Sequence, residues 1–176
     1  FKYLMNSVII SSVSTVIAIT IGMMGGYAFA RFNFKGKNKI FLSLMLARAV
    51  PGISLSLPLF ILFAKIGLIN TSIGVIIVYV AMNVPFTIWL TDGFFRQIPK
   101  EMSEVARTDG CTRFQAFWNV ELPLAGPGIG AAAIFAFLLS WNEYALASIL
   151  TRTVHSKTLP IGMMDYLDEF TINWAG

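Results

Sequence analysis

Three long stretches without a charged residue constrain this chain more than any other feature of its sequence. They lie between Lys2 and Arg31, between Lys65 and Asp92, and between Glu121 and Glu143. A helix needs about 20 residues to cross the hydrocarbon core of a bilayer, and each stretch is long enough for one. Charged residues make up 12% of the 176-residue chain and hydrophobic residues 56%, whereas soluble domains have about 25% and about 45–50%. This composition argues strongly against a soluble enzyme and against disordered, collagen-like or coiled-coil chains.

We therefore predict an all-α membrane protein, a polytopic helical bundle that forms one transmembrane domain in the lipid bilayer. A fourth apolar stretch, from Ile40 to Ala64, has a single charged residue, Arg48. The predicted spans cover about 7–30, 41–63, 72–94 and 126–148. The chain begins with Phe1 and ends just after a polar stretch, so we expect it to be part of a longer polytopic protein.

The distribution of positive charge predicts the orientation of the spans. Lys and Arg are more frequent in the segments after the first and third spans than at the opposite end of the bundle. The segments after these two spans contain Arg31, Lys35, Lys37, Lys39, Arg96, Lys100, Arg107 and Arg113. The opposite end contains Lys2, Lys65, Arg152 and Lys157. Cytoplasmic loops have such an excess. We predict that residues 31–40 and 96–123 are cytoplasmic, and that residues 1–6, 65–71 and 151–176 are extracytoplasmic. The net charge of +4 is then loop charge, and no nucleic-acid partner is expected.

Polar side chains inside the predicted spans are candidates for lining a solute pathway. They are Arg48, Asn83, Trp141, Asn142 and Glu143. A charge inside a membrane is costly and normally faces the bundle interior, and Pro51 and Pro58 near Arg48 predict a broken helix of the kind that lines a cavity. Structural alternatives remain open for the candidates: Arg48 snorkels to the interface, Asn83 makes a helix–helix hydrogen bond, and Trp141 belongs to an aromatic belt.

The sequence shows no arrangement of residues that would support catalysis. It has no Ser/His/Asp spacing, no G-x-x-x-x-G-K-[ST] phosphate loop and no metal-ligand cluster, with Cys111 and His155 as its single Cys and His. We expect no catalytic residue, metal or cofactor in this chain, so any nucleotide is bound by another subunit. Three glycines of the first span, Gly22, Gly25 and Gly26, predict close packing against another helix.

The 96–123 segment is too regular to be a simple connection. Pro99 predicts the start of a helix, and Met102, Val105 and Ala106 then recur at i, i+3 and i+4. Asp109-Gly110 predicts a turn that ends this helix.

A second short helix is predicted after that turn. Thr112 and Gln115 have the spacing of a capping box, Phe114, Phe117 and Trp118 give an apolar face, and Pro123 is expected to end the helix. Two interpretations fit the pair of helices, since their apolar faces could rest on lipid or dock in a groove of a cytoplasmic partner.

The same segment resembles the EAA loop of ABC importer permeases. That pattern is E-A-A-x-x-x-G, nine residues, then I-x-L-P, and here it reads Glu104-Val105-Ala106-x-x-x-Gly110 and Val120-Glu121-Leu122-Pro123. Val105 and Val120 are apolar replacements that keep the helix face. Other motifs are similar to the carbohydrate-uptake branch, closest to the maltose-permease-G-like group: Arg48-Ala49-Val50-Pro51, Leu57-Pro58-Leu59, Gly67-Leu68-Ile69-Asn70-Thr71, Phe94-Phe95-Arg96-x-Ile98-Pro99, Ser140-Trp141-Asn142-Glu143 and Thr158-Leu159-Pro160-Ile161-Gly162.

The resemblance implies the permease subunit of an ATP-driven sugar importer, a transport subunit rather than an enzyme. The family fold has six spans, of which this chain would supply four. Implied partners are a second permease subunit, two copies of an ABC ATPase that binds ATP and magnesium, and an extracytoplasmic sugar-binding protein. The residues implied to contact the ATPase are Glu104, Val105, Ala106, Asp109, Gly110, Val120, Leu122 and Pro123, with Glu104 facing a basic group.

Three alternatives remain open at this point. The chain could import peptides, polyamines or oxyanions through the same kind of complex. It could be a secondary transporter with Arg48 and Glu143 as coupling charges, although no inverted repeat is evident. A membrane scaffold or enzyme is disfavoured by the absence of a catalytic constellation.

Overall fold

A computed structural model of the protein describes residues 1–171. Residues 172–176, at the end of the predicted extracytoplasmic segment, lie outside the described residues. The described part is helical and contains no strand, which confirms the predicted fold class. Its helices are α1 (Lys2–Arg31), α2 (Lys37–Ala49), α3 (Ser56–Lys65), α4 (Ser72–Gln97), α5 (Lys100–Thr108), α6 (Arg113–Ala116), α7 (Leu122–Trp141), α8 (Ala145–Leu150) and α9 (Leu159–Thr171).

Three helical stretches of the described chain are long and apolar enough to cross a membrane. They are Lys2–Arg31, Ser72–Gln97 and the continuous stretch Arg113–Trp141. The helices that correspond to the second predicted span, 41–63, form a pair bent by 91°. The bend follows from Pro51, because the residue before a proline is pushed out of the helical region, and Val50 is extended with ψ of 120°.

Helices α1 and α4 pack closely, with small residues of α1 against threonines of α4. The Thr91 hydroxyl donates to the Gly22 carbonyl at 2.8 Å and the Thr87 hydroxyl to the Ala18 carbonyl at 3.0 Å. A Cβ atom at Gly26 would overlap the Thr91 side chain. The close packing predicted for the glycines of the first span is therefore confirmed.

The helix at the fourth predicted span, 126–148, begins before and ends before the predicted residues, and the prediction that Pro123 ends a helix was wrong. A π turn, Phe117–Glu121, joins α6 to α7 without a break, and the Leu122 amide donates to the Phe117 carbonyl in the wider π pattern. A proline has no N–H to contribute to the next turn, and the π turn lets the helix continue past this position. The helix then ends early, at Trp141.

Polar contacts fix which segments lie at the same end of the bundle. The Asn6 side-chain amide donates to the Val154 carbonyl at 3.0 Å, and the Asn70 Oδ1 atom accepts from the Arg152 amide at 2.9 Å. The beginning of the chain, the α3–α4 turn and the α8–α9 connection therefore meet at one end. The α1–α2 connection meets the 96–123 segment at the other end.

Candidate functional site

The first half of the 96–123 segment is a short helix closed by a glycine turn. Helix α5 ends at Thr108, and Gly110 has a φ of 96°. The Gly110 amide donates to the Arg107 carbonyl at 3.2 Å and the Cys111 amide to the Ala106 carbonyl at 3.0 Å. This pair of bonds is a Schellman motif. The turn predicted at Asp109-Gly110 is confirmed.

The second half begins with the predicted capping box. The Thr112 amide donates to Gln115 Oε1 at 2.8 Å, and the Gln115 amide donates to Thr112 Oγ1 at 3.3 Å. Because each side chain satisfies the other residue's amide, the start of α6 is fixed directly after the glycine turn.

The apolar residues of this segment divide between an outer and an inner face. Ala106 and Phe117 are buried, whereas Val105 is 58% and Phe114 67% exposed. Neighbouring helical residues point about 100° apart, so Val105 and Ala106 do not share the single stripe that the sequence suggested. Met102, Val105, Phe114 and Trp118 are each exposed instead, and these four side chains are called the exposed apolar surface of the segment.

The other implied contact residues differ in their exposure. Glu104 is exposed and makes no ion pair among the described side chains. It lines a cavity of about 160 Å³ together with Lys100, Arg107 and Arg113. The remaining ones range from exposed to partly buried: Asp109 and Pro123 are exposed, whereas Val120 and Leu122 are partly buried.

A buried ion pair holds the 96–123 segment to α1. Arg31 Nε lies 2.5 Å from Glu121 Oε2, and only 8% and 1% of the two side chains is exposed. The Arg31 Nη2 atom also donates to the Ile98 carbonyl at 3.0 Å, and the Tyr27 hydroxyl donates to Glu121 Oε1 at 3.2 Å. The sequence interpretation missed this contact because it treated Arg31 as loop charge. One signal was present, since Arg31 and Glu121 each border a long uncharged stretch at the end that is predicted to be cytoplasmic.

A second polar region lies between the end of α2 and helices α4 and α7. A cavity of about 290 Å³ is lined there by Arg48, Asn83, Glu143 and further residues. The Arg48 guanidinium lies 4.2 Å from the centre of the Phe86 ring, and the Asn83 amide donates to Ser140 Oγ at 2.8 Å. The structure thus brings together three of the five candidate pathway residues.

The other two candidates do not line this cavity. Trp141 stacks on Phe137 with ring centres 5.6 Å apart, and the Asn142 side-chain amide donates to the Leu138 carbonyl at 2.8 Å. Glu143, although it lines the cavity, directs its carboxylate to the start of α8.

The Glu143 carboxylate accepts from the Leu146 amide at 2.9 Å and from the Ala147 amide at 3.1 Å. These are amides of the first turn of α8, which have no partner within the helix. The cap gives the physical reason for a new helix here, where a single span was predicted to continue to residue 148. Among the described residues, no group of His, Cys, Asp and Glu side chains is arranged to hold a metal ion.

Residues 5–170 match the family described as binding-protein-dependent transport system inner membrane component. The chain belongs to this family. Two relatives illustrate the match. The trehalose transport system permease protein SugB of Mycobacterium tuberculosis is 40% identical over 93% of this chain and 60% of its own length. The diacetylchitobiose uptake system permease protein DasC of Streptomyces coelicolor is 34% identical over 99% of this chain and 63% of its own length.

A solved structure shares the fold of this family member. It is a bacterial ABC transporter involved in the import of the acidic polysaccharide alginate, with a TM-score of 0.79 and 22% identity. The match covers 99% of this chain and 60% of that chain. The family resemblance read from the EAA-like residues is therefore confirmed, and the chain belongs to a family of inner membrane transport components.

Proposed function

We propose that this chain forms part of the translocation pathway of an ATP-driven sugar importer and binds a cytoplasmic ATPase through its 96–123 segment. The observation that carries the proposal is the exposed apolar surface of that segment. Val105, Phe114 and Trp118 are exposed on a helix pair whose connection is fixed by a glycine turn and a capping box. An apolar helix face of this kind fits a hydrophobic groove of a partner.

The partners follow from the family and from the absence of a nucleotide motif in the sequence. We propose a complex with a second permease subunit, two ATPase subunits that bind ATP and magnesium, and an extracytoplasmic sugar-binding protein. It lies in the cytoplasmic membrane, with the end that contains the 96–123 segment in the cytoplasm, because Lys and Arg concentrate there. The names of relatives such as SugB and DasC support a sugar as the solute.

The docking contact combines apolar and charged groups. The exposed Val105 and Phe114 side chains enter the groove of the ATPase, and Glu104 pairs with a basic group of that subunit. The exposure of Glu104 and its lack of an ion pair within the described chain support this role.

Reconstitution into liposomes tests the proposed function. We expect sugar uptake with both permease subunits, the ATPase, the binding protein and ATP, and none when the ATPase is replaced by a variant that cannot hydrolyse ATP. Uptake driven by an ion gradient without the ATPase would identify a secondary transporter instead. Uptake of peptides, polyamines or oxyanions in place of sugars would identify another solute class.

The polar cavity between α2, α4 and α7 is the proposed pathway lining. Arg48→Cys, in a Cys111→Ser background, is expected to react with a water-soluble thiol reagent in at least one transport state. The reason is that Arg48 lines the polar cavity and lies over the Phe86 ring of α4. The matched control is Leu46→Cys on the same helix, whose side chain is 60% exposed and lies about 200° away around α2. Absence of labelling at position 48 in every state would contradict a pathway role.

A further inference from the structure

We infer that Arg31 is a positioning residue that holds both ends of the 96–123 segment on α1, so that the segment and α1 move as one body. The inference rests on the proposed coupling function. It concerns how a movement of the docked segment reaches the spans, rather than how the ATPase is bound.

One guanidinium group joins three parts of the chain. Arg31 belongs to the last turn of α1, Ile98 directly follows α4, and Glu121 is the last residue of the π turn before α7. The guanidinium donates to the Ile98 carbonyl through Nη2 and to the Glu121 carboxylate through Nε. The planar fork of arginine can make two such bonds in fixed directions at once, whereas a lysine ammonium is a point charge on a flexible stem.

The contact of Arg31 with Ile98 and Glu121, called the joint, is buried, and its polar groups are hydrogen-bonded. Glu121 is 1% exposed, and its second oxygen accepts from the Tyr27 hydroxyl. The Tyr27 ring lies 4.6 Å from the ring of Phe117 and 5.4 Å from that of Phe95, measured between centres. Separating the ion pair would leave a buried charge without its partner, which is strongly unfavourable. The two ends of the segment therefore do not shift independently of α1.

The middle of the segment has the opposite character. From Glu101 to Thr112 most side chains are exposed, so the tip is accessible to a partner while its ends are fixed. A force on the tip is transmitted to α1 through the joint, and from α1 to α4 through their close packing.

A distance measurement within the assembled transporter tests the inference. Spin labels are placed at Met24→Cys on α1 and at Glu101→Cys on α5, both exposed positions, in a Cys111→Ser background whose uptake is first verified. We expect one narrow distance distribution that stays unchanged between the nucleotide-free and ATP-bound states. In Arg31→Met the distribution should broaden and differ between the two states. In Arg31→Lys the width of the distribution, and its difference between the two states, should be intermediate between the wild type and Arg31→Met.

The functional readout distinguishes positioning from a general loss of structure. Arg31→Met is expected to raise the amount of ATP hydrolysed per sugar imported several-fold, with the ATPase still bound. Lys35→Met, which removes an exposed positive charge from the same end of the bundle, should leave this ratio and the distances unchanged. A wild-type ratio and wild-type distances in Arg31→Met would overturn the inference.

A second variant decides the outcome if Arg31→Met fails to fold. Arg31→Met combined with Glu121→Met leaves no unpaired buried charge, and such replacements are often tolerated. If the folded double variant has the wild-type ratio and distances, Arg31 has no positioning role. If the double variant folds but hydrolyses more ATP per sugar imported and has a broadened distance distribution, the inference holds. Failure of the proposed function is distinguishable, since it would abolish ATP-driven uptake in the wild type while the distances within the subunit remain measurable.

Discussion

Gly110→Val is expected to reduce ATP-driven uptake about tenfold while the protein remains in the membrane. Gly110 has a φ of 96°, and no atom lies within 4 Å of the position that a Cβ would take. The effect therefore comes from backbone conformation alone. The left-handed region costs an L-residue about 1–2 kcal/mol, which corresponds to a roughly 5- to 30-fold change in population, and it is worst for a β-branched side chain.

The loss follows because the glycine turn sets the angle between α5 and α6. If the Schellman bonds of Gly110 and Cys111 break, the exposed Val105 and Phe114 can no longer enter the proposed groove of the ATPase together. The spans lie outside this change, so membrane insertion should be unaffected. ATPase binding should weaken by about tenfold, in line with the conformational cost.

Gly110→Asn provides the matched control, because asparagine adopts positive φ more readily than other residues. It should retain most of the uptake. Glu104→Ala should weaken uptake less than Gly110→Val, since it removes one polar partner without changing the turn. The measurements are co-purification of the ATPase and ATP-driven uptake for each variant. Normal values for Gly110→Val would show that this segment does not couple the two subunits.

The features of the fold that the sequence predicted correctly depend on neighbours along the chain. Uncharged stretches predict spanning helices because a bilayer core imposes a length. The turn at Gly110 and the capping box of Thr112 were predictable because their bonds join residues at most five apart. Glycines at helical spacing predicted the close packing of α1, although the sequence did not name α4 as its partner.

Other features depend on contacts between residues far apart or on a local choice that no pattern reveals. The continuation of a helix through Pro123 required the π turn at Phe117–Glu121. The ion pair of Arg31 with Glu121 joins positions separated by 90 residues, so the charges looked like independent loop residues. Glu143 is predicted to line a pathway, and no pattern in the sequence reveals that its carboxylate also caps α8.

The site was predictable to a similar extent. The motif located the 96–123 segment, but not the division of its apolar residues into an outer and an inner face. That division depends on what α5 and α6 pack against, which is the π turn as well as each other. Val105 is exposed and Ala106 buried for this reason.

Gly26→Ala is expected to destabilise the subunit, whereas Gly93→Ala is expected to stabilise it. In a free helix the change from glycine to alanine is favourable by roughly 0.5–1 kcal/mol. At Gly26 the added Cβ would overlap the Thr91 side chain and lie 2.7 Å from the Asp92 amide nitrogen. The latter is backbone and cannot rotate away, so α1 and α4 must separate, at a cost of about 1–3 kcal/mol or more.

Gly93 and Gly25 make this prediction specific to the site. A Cβ at Gly93 meets nothing within 4 Å, and one at Gly25 lies 2.9 Å from a side-chain carbon of Ile88. Because the Ile88 side chain can shift, Gly25→Ala should have an intermediate effect. The separation at Gly26 would also lengthen the bond from the Thr91 hydroxyl to the Gly22 carbonyl. In thermal unfolding of the detergent-purified subunit, the melting temperature should therefore be highest for Gly93→Ala, intermediate for Gly25→Ala and lowest for Gly26→Ala. Equal melting temperatures for the three variants would show that the close approach of α1 and α4 does not limit stability.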